Sequence, residues 1–412
     1  MHRAAPCSQI TRQLLLSISF ALACTFARTA FAGDYFVDPA GKAPRGNGDH
    51  VFTTVQAAID GVRAGTEDEP TRIFITPGIY TEHLTIRRDK VYLDLIGLDP
   101  DPAKTVLTFN LAAITPKSSG AGTVGTTGSA STTISANNFT AANLTFANST
   151  PYLGSQAVAL KTNGDEMAFS HCKFTSYQDT LYPTGGRQYF TDCTISGSVD
   201  YIFGNATAVF DHCTINNSHG STVTAANTKP TTAIGFVFLD CDLTATDPGA
   251  AAGSTQLGRP WQYDRGSYAS TIFVRCKLGP HISKGAWNPW DKTNDQPAGD
   301  CRYAEFGNTD SDGKPVDDSF YATWSHALTA DQAAQLTLAN IFGPASFWDN
   351  PTWGIGGTIW GPVNAAGTSN VKTAIKAKKF TDWALGGTWD PTKQIASAAI
   401  PAGASTTAPG PK

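Results

Sequence analysis

The chain has 412 residues, 41% of them hydrophobic, with 30 Lys and Arg against 34 Asp and Glu and a formal net charge of −4. Removing an amino-terminal segment that holds Arg3, Arg12 and Arg28 but no acid takes the charge to −7. An acidic surface argues against nucleic acid as a partner, and it gives no long-range attraction to a polyanion, which would have to be recognised locally.

Residues 1–32 place Arg3 and Arg12 ahead of an apolar run from Leu14 to Ala27 and end in Ala30-Phe31-Ala32, the pattern of a secretory signal with a small-residue cleavage site. No later apolar stretch is long enough to cross a bilayer, so a secreted protein with no membrane partner is expected. From Gly33, Tyr35-Phe36-Val37 reads as a first strand. Thr53 or Thr54 then caps a short helix with Val55, Ala58, Ile59 and Val62 on its inward face. Arg72 to Ile75, Gly78 to Glu82, Val91 to Gly97 and Thr105 to Phe109 carry further strand signals, and the Ser/Thr/Gly-rich stretch 116–133 reads as a loop leading into another. Asn138, Asn143, Asn148 and Asn205 head glycosylation sequons, which polar turn positions explain equally well.

The segment from His171 to Gly204 is one unit written twice. With Cys172 aligned on Cys193, each is followed at +2 by Phe174 or Ile195 and at +7 by Asp179 or Asp200. Further copies begin at Cys213, Cys241 and Cys276, giving spacings of 21, 20, 28 and 35 residues, and Leu144 takes the same slot earlier. A fixed short strand with elastic remainders predicts a solenoid, and the strand's alternation predicts parallel rungs. The expectation is an all-β, single-domain parallel β-helix over residues 33–361 with a short amino-terminal capping helix. Beyond it, 362–412 reads as a tail of partly low complexity.

Rungs of such a stack lie about 4.8 Å apart. Asp179 and Asp200 on neighbouring rungs would then sit side by side, where like charges push one pKa up and leave an acid beside an ionised group. Solvated surface aspartates would produce the same spacing. Gln178, Tyr177, Tyr182, Tyr201 and Phe203 around the pair favour a cleft for sugar chemistry. Six cysteines follow residue 32, five of them in the repeated slot. Stacked thiols in an oxidising compartment permit a disulfide, for which Cys193 with Cys213 is the choice because that repeat is shortest; a ladder of free buried thiols is the other reading. No C-x-x-C or H-x-x-x-H pairing occurs, so neither metal nor cofactor is expected. No Ser/His/Asp triad is evident.

Five blocks in order, Gly78-Ile79-Tyr80-Thr81-Glu82, Gln156-Ala157-Val158-Ala159-Leu160, Tyr177-Gln178-Asp179-Thr180-Leu181-Tyr182, Asp200-Tyr201-Ile202-Phe203-Gly204 and Leu257-Gly258-Arg259-Pro260-Trp261, resemble those of the pectin methylesterases, in their secreted bacterial-type form. The resemblance implies a right-handed parallel β-helix that hydrolyses the methyl esters of homogalacturonan, acting as a monomer. It implies Asp200 as nucleophile, Asp179 as general acid and base, Gln156 and Gln178 as oxyanion donors and Arg259 as the residue that orients Asp200. Trp261, with Tyr182 and Tyr201, is expected to bind sugar. Tyr201 departs from the family's usual Phe, and Trp287 and Trp290 fall in a block shifted by one residue, which leaves their roles open. Pectate lyases and polygalacturonases share the fold class but need a calcium carboxylate cluster or a glycosidic acid pair, and neither signature replaces the glutamines. A glycan-binding protein without turnover is expected to lose an aspartate or a glutamine, and this chain retains them all.

Overall fold

The computed structural model describes residues 34–42, 50–152, 155–229, 232–245, 249–261, 269–290, 302–317, 325–343 and 387–398, which fall in one compact unit. The predicted signal 1–32, Cys301 and the tail stretches 362–386 and 399–412 lie outside these residues. Among the described residues the strands form three parallel sheets of twelve, nine and seven strands, here sheets 1, 2 and 3. One coil shows how the chain makes them. Met167–Ser170 lies in sheet 1, Lys173–Thr175 in sheet 2 and Leu181–Pro183 in sheet 3, and Arg187–Thr191 returns to sheet 1 paired in parallel with the strand that began the coil. The chain is a right-handed parallel β-helix, the hand that parallel crossovers take.

The corner between sheets 1 and 2 is the repeat seen in sequence. Asn143, His171, Asp192, His212, Asp240 and Arg275 each precede the slot residue and adopt φ between 50° and 58°. Asn, Asp and His enter this left-handed region more readily than most residues. Arg275 is held there by a paired contact to Asp240, at 2.8 and 2.6 Å. His171 and His212 face solvent, as their place in the repeat predicts.

Slot residues and their +2 neighbours point inward. Leu107, Phe146, Phe174, Ile195, Ile215, Leu243 and Leu278 stack in register down sheet 2. On sheet 1, Phe169, Phe190, Phe210, Phe238 and Phe273 form a second ladder with centroids 4.3 to 4.9 Å apart and rings within 12° of parallel. Rung spacing imposes that stacking distance. The next position in register is Glu305, buried, whose carboxylate accepts from Trp287 Nε1 at 2.8 Å and Asn308 Nδ2 at 2.9 Å. The ladder therefore ends on a satisfied acid, a structural role.

Cys193 and Cys213 are free thiols in the structure, as are Cys172, Cys241 and Cys276, which is the thiol-ladder reading of the slot. In-register side chains of parallel strands run side by side, keeping Cβ atoms about 4.8 Å apart, beyond the roughly 3.5–4.5 Å a disulfide spans. Each thiol instead donates to a carbonyl of the preceding rung, Cys193 to Phe169 O at 3.5 Å and Cys213 to Phe190 O at 3.4 Å.

Helix α1, Val55–Gly61, covers the amino-terminal end with Val55, Ala58 and Ile59 buried. Thr54 Oγ1 accepts from Ala57 N, and the Glu82 carboxylate accepts from Val55 N and Gln56 N, both at 2.9 Å. Further along the chain, the helix Ala330–Ala334 is capped by a box between Thr329 and Gln332. The sequon residue Asn148 is buried and donates to the carbonyls of Leu111, Ser129 and Val158, so it is a structural residue here.

Candidate active site

Sheet 3 positions the chemistry. Leu160, Leu181 and Ile202 stack inward into the core, so Lys161, Tyr182 and Phe203 face out. Just before these strands the chain passes through Asp179 (φ 64°) and Asp200 (φ 49°), both in the left-handed region. Their amides bond along the stack, Asp179 N to Val199 O at 3.0 Å and Asp200 N to Thr222 O at 2.7 Å, which sets the two aspartates on consecutive rungs. Gly204, at φ 133°, lets the next turn pass close to Pro183, whose carbonyl oxygen a Cβ would meet at 2.2 Å.

Both carboxyl groups are buried, Asp179 to 8% and Asp200 to 5% residual exposure. Arg259 closes on Asp200 with two bonds, Nε to Oδ1 at 2.9 Å and Nη2 to Oδ2 at 2.5 Å, and its guanidinium lies 4.3 Å over the Trp290 ring. Burial holds Asp179 well above the usual carboxylate range, and the Asp200 charge adds to this against the weaker pull of Arg259. Burial raises Asp200 too, but the paired guanidinium draws it back. The arrangement thus favours the proton on Asp179 and the charge on Asp200.

A cleft of about 580 Å³ opens over the pair. Asp179, Asp200, Gln156, Gln178, Arg259, Tyr182 and Trp261 all line it. Gln156 and Gln178 come from adjacent rungs, linked by Ala157 N to Gln178 O at 3.1 Å. Ser155 Oγ donates to Gln156 Oε1 at 2.7 Å, which leaves the Gln156 amide nitrogen as a donor for the cleft. Tyr182 stacks on Phe203 at 4.1 Å and 10°, and Trp261 lies 5.8 Å from Phe203. Together they make an aromatic floor on which a sugar ring can rest.

The family description that matches the chain is Pectinesterase, over residues 43–344. The chain belongs to the pectinesterase family. It is 34% identical over 304 residues to Pectinesterase 31 of Arabidopsis thaliana, covering 73% of this chain and 90% of that one. A pectin methylesterase crystal structure in complex with a hexasaccharide superposes with TM-score 0.62 at 30% identity, over 75% of this chain and 96% of the other. A pectin methylesterase from Erwinia chrysanthemi gives TM-score 0.61 at 30% identity, over 76% and 98%.

One expected residue of this pectinesterase is misplaced by the sequence. Tyr201 is fully buried, far from solvent, with its hydroxyl donating to Asn217 Oδ1 at 2.9 Å. It packs where Gly197 leaves room, since a Cβ there would meet Tyr201 Cβ at 2.2 Å. The hydroxyl that departs from the family's Phe is therefore satisfied inside the core and does not reach a ligand. Cys193 and Cys213 likewise lie in the core.

Three residues of the cleft wall went unread, Asn227 with Thr126 and Thr127 from the helical turn Gly125–Gly128, and Trp290, whose role the sequence leaves open, lines it too. These come from connections of irregular length, where no repeat marks a position. The Pro-adjacent tryptophan was visible, but only the stacking on Arg259 shows its place.

Proposed function

We propose that the chain hydrolyses methyl esters of homogalacturonan in two steps, with Asp200 as nucleophile and Asp179 as general acid and then base. A demethylesterifying enzyme acting on pectin is what the family and the neighbouring structures support. An Asp200 oxygen attacks the ester carbonyl carbon, and the negative charge that gathers on the carbonyl oxygen is met by the amides of Gln156 and Gln178. Collapse breaks the bond to the methoxy group, which takes the Asp179 proton and leaves as methanol. Asp179, now ionised, draws a proton from water as that water attacks the acyl carbon, which frees the galacturonate carboxylate and restores Asp200.

The observation that carries this reading is the split pair: a carboxylate held by two guanidinium bonds, one rung from a buried carboxyl whose pKa burial raises, with two amides in the same cleft. A methyl ester has a poor leaving group, so a positioned acid contributes about a hundredfold or more. Two preorganised donors can each lower the barrier by on the order of 3 kcal/mol. The secreted form rests on the amino-terminal run and Ala30-Phe31-Ala32. Sequencing the exported protein from Gly33 would support it.

The test is methanol release from highly methylated pectin with matched base uptake. The parent is expected to release methanol and new carboxyl groups one for one, while Asp200→Ala and Asp179→Ala each lose at least about a hundredfold. Full activity in either variant would sink the assignment.

A further inference from the structure

The outer face of sheet 1 is apolar at Phe74 and Ile96, and Asp94 breaks it. Leu93 and Leu95 on either side fill the core, so the Asp94 side chain points outward. It stands in register with Arg72 on one rung and Thr140 on the other, and Arg72 is paired with Asp34 at 2.8 Å. Asp94 is only 2% exposed, yet among the described residues nothing hydrogen-bonds its Oδ2. Burial lifts this carboxyl to about 7, which Thr140 and the charge of Arg72 only partly oppose. A buried polar atom without a partner calls for a ligand or an ion to satisfy it.

Asp94 lines a cavity of about 570 Å³. Glu67, Asp68, Glu166 and Asp390 line the same space, Tyr92 and Trp389 give it aromatic walls, and Lys393 is its base among the described residues. Five carboxyl groups thus share the cavity with one ammonium, which is 84% exposed and leans on Asp390 at 3.8 Å. The acids converge from separate parts of the chain: burial raises the pKa of the Tyr92 hydroxyl, and the charges of Glu67 and Glu166 both add to it. Glu166 is already held by Arg187 and Asn138, which leaves Asp94, with Glu67 and Asp68 at the rim, to meet a cation.

We propose that this cavity binds a linear organic polycation of the polyamine class, with one ammonium on Asp94 and another between Glu67 and Asp68. A metal ion suits it poorly, because such an ion gathers several carboxylate oxygens into one coordination sphere. Among the described residues the grouping close enough for that is Asp211, His212 and Asp240, which lies elsewhere. Ammonium groups joined by methylenes reach carboxylates set further apart, and the methylenes rest on Tyr92 and Trp389. Asp390 caps the helix Pro391–Ser397 that lies over sheet 1, so the ligand also ties that helix to the strand beneath it. The cavity shares no lining residue with the cleft on sheet 3, and the proposal does not depend on the esterase reading.

The experiment is calorimetric titration of the full chain with spermidine, with butylamine and calcium chloride at matched ionic strength for comparison. Spermidine is expected to bind one per chain, butylamine at least about tenfold more weakly, and calcium is expected not to displace spermidine. Asp94→Asn weakens spermidine binding about tenfold or more, because its contact is buried. Glu67→Gln, on an exposed loop that leaves the sheet intact, weakens it about threefold. Bound spermidine also raises the urea midpoint of the parent, and Asp94→Asn loses most of that rise. The site is overturned if spermidine shows no saturable binding, if either folded variant binds it as the parent does, or if calcium displaces it at equal ionic strength.

Discussion

The difference between Asp179 and Asp200 is a difference of neighbours. Both are buried and both stand in the left-handed region before a sheet 3 strand, yet only Asp200 receives Arg259. The proposed mechanism needs Asp179 protonated and Asp200 ionised. The rate therefore falls as pH rises through the raised pKa of Asp179, and falls again as pH drops through that of Asp200. Because burial lifts both, the active window is displaced upward from that of ordinary carboxylates. Arg259→Gln removes the pull that opposes burial at Asp200, so the acid limb of the pH–rate profile moves to higher pH while the maximal rate drops, by on the order of tenfold to a hundredfold. Initial rates of methanol release across pH check this, and an acid limb that stays in place would show that Arg259 does not set the ionisation of Asp200. The aspartates were legible because the fixed distance from the slot residue carried them. Tyr201 was not, since φ 49° at Asp200 breaks the in-out alternation that would have placed its neighbour, and Asn217, its buried partner, lies a rung away in sequence that gives no sign of it.

At the scale of the strand, ladders decide what the sequence shows. The slot repeat was readable because one inward residue and one left-handed corner recur in every coil, whatever the loops between them do. The same ladder leaves the cysteines two readings, a Cys193–Cys213 disulfide or stacked thiols, because rung spacing brings Cα atoms into range while the parallel direction of the side chains lets each sulfur reach a carbonyl of the preceding rung. The phenylalanine ladder of sheet 1 should be where the coils are most tightly coupled. Phe190 is fully buried and sits between Phe169 at 4.7 Å and Phe210 at 4.9 Å, with Phe174 edge-on at 5.7 Å. Neighbours held at rung spacing by backbone hydrogen bonds cannot collapse into a gap. Phe190→Ala is thus expected to cost about 3–5 kcal/mol. Urea unfolding followed by tryptophan fluorescence reads it directly, and a loss under about 1 kcal/mol would mean that the stack relaxes in a way this packing does not allow.

For the whole molecule, the two faces of sheet 1 pose a problem that the sequence states but does not solve. Its strands, such as Arg72-Ile73-Phe74-Ile75 and Phe236–Leu239, are buried at every position, so both faces are covered. The inward face meets the core. The outward face carries Ala168, Tyr189, Val209, Val237, Ile272 and Ala304, and it packs under Leu336, Ile341, Phe342 and Trp389. Near the amino-terminal rungs, Phe36, Phe74, Ile96 and Leu98 pack against Ala398. The cover therefore includes residues 387–398, which composition had assigned to a tail, because one tryptophan and a seven-residue helix, Pro391–Ser397, are lost among Ala, Gly, Thr and Pro. Gln394 Nε2 fixes that helix to Phe139 O at 3.0 Å and Glu166 O at 3.1 Å. Arg187, wholly buried, pairs with Asp165 and Glu166 at 2.6 Å and donates to Gly387 O at 2.9 Å. Deleting residues 387–412 exposes the Trp389 contact surface and removes one acceptor from a buried guanidinium, for an expected loss of about 3–6 kcal/mol. The cleft stands on sheet 3, and among the described residues none of its lining comes from 387–398. The shortened chain should keep kcat for methanol release within about twofold while its urea midpoint falls. An unchanged midpoint would mean that the segment only rests on sheet 1. A collapse of kcat with an intact midpoint would mean that the cover reaches the catalytic rungs through the stack, which the rung-to-rung register of sheets 1 and 3 gives no route for other than through stability.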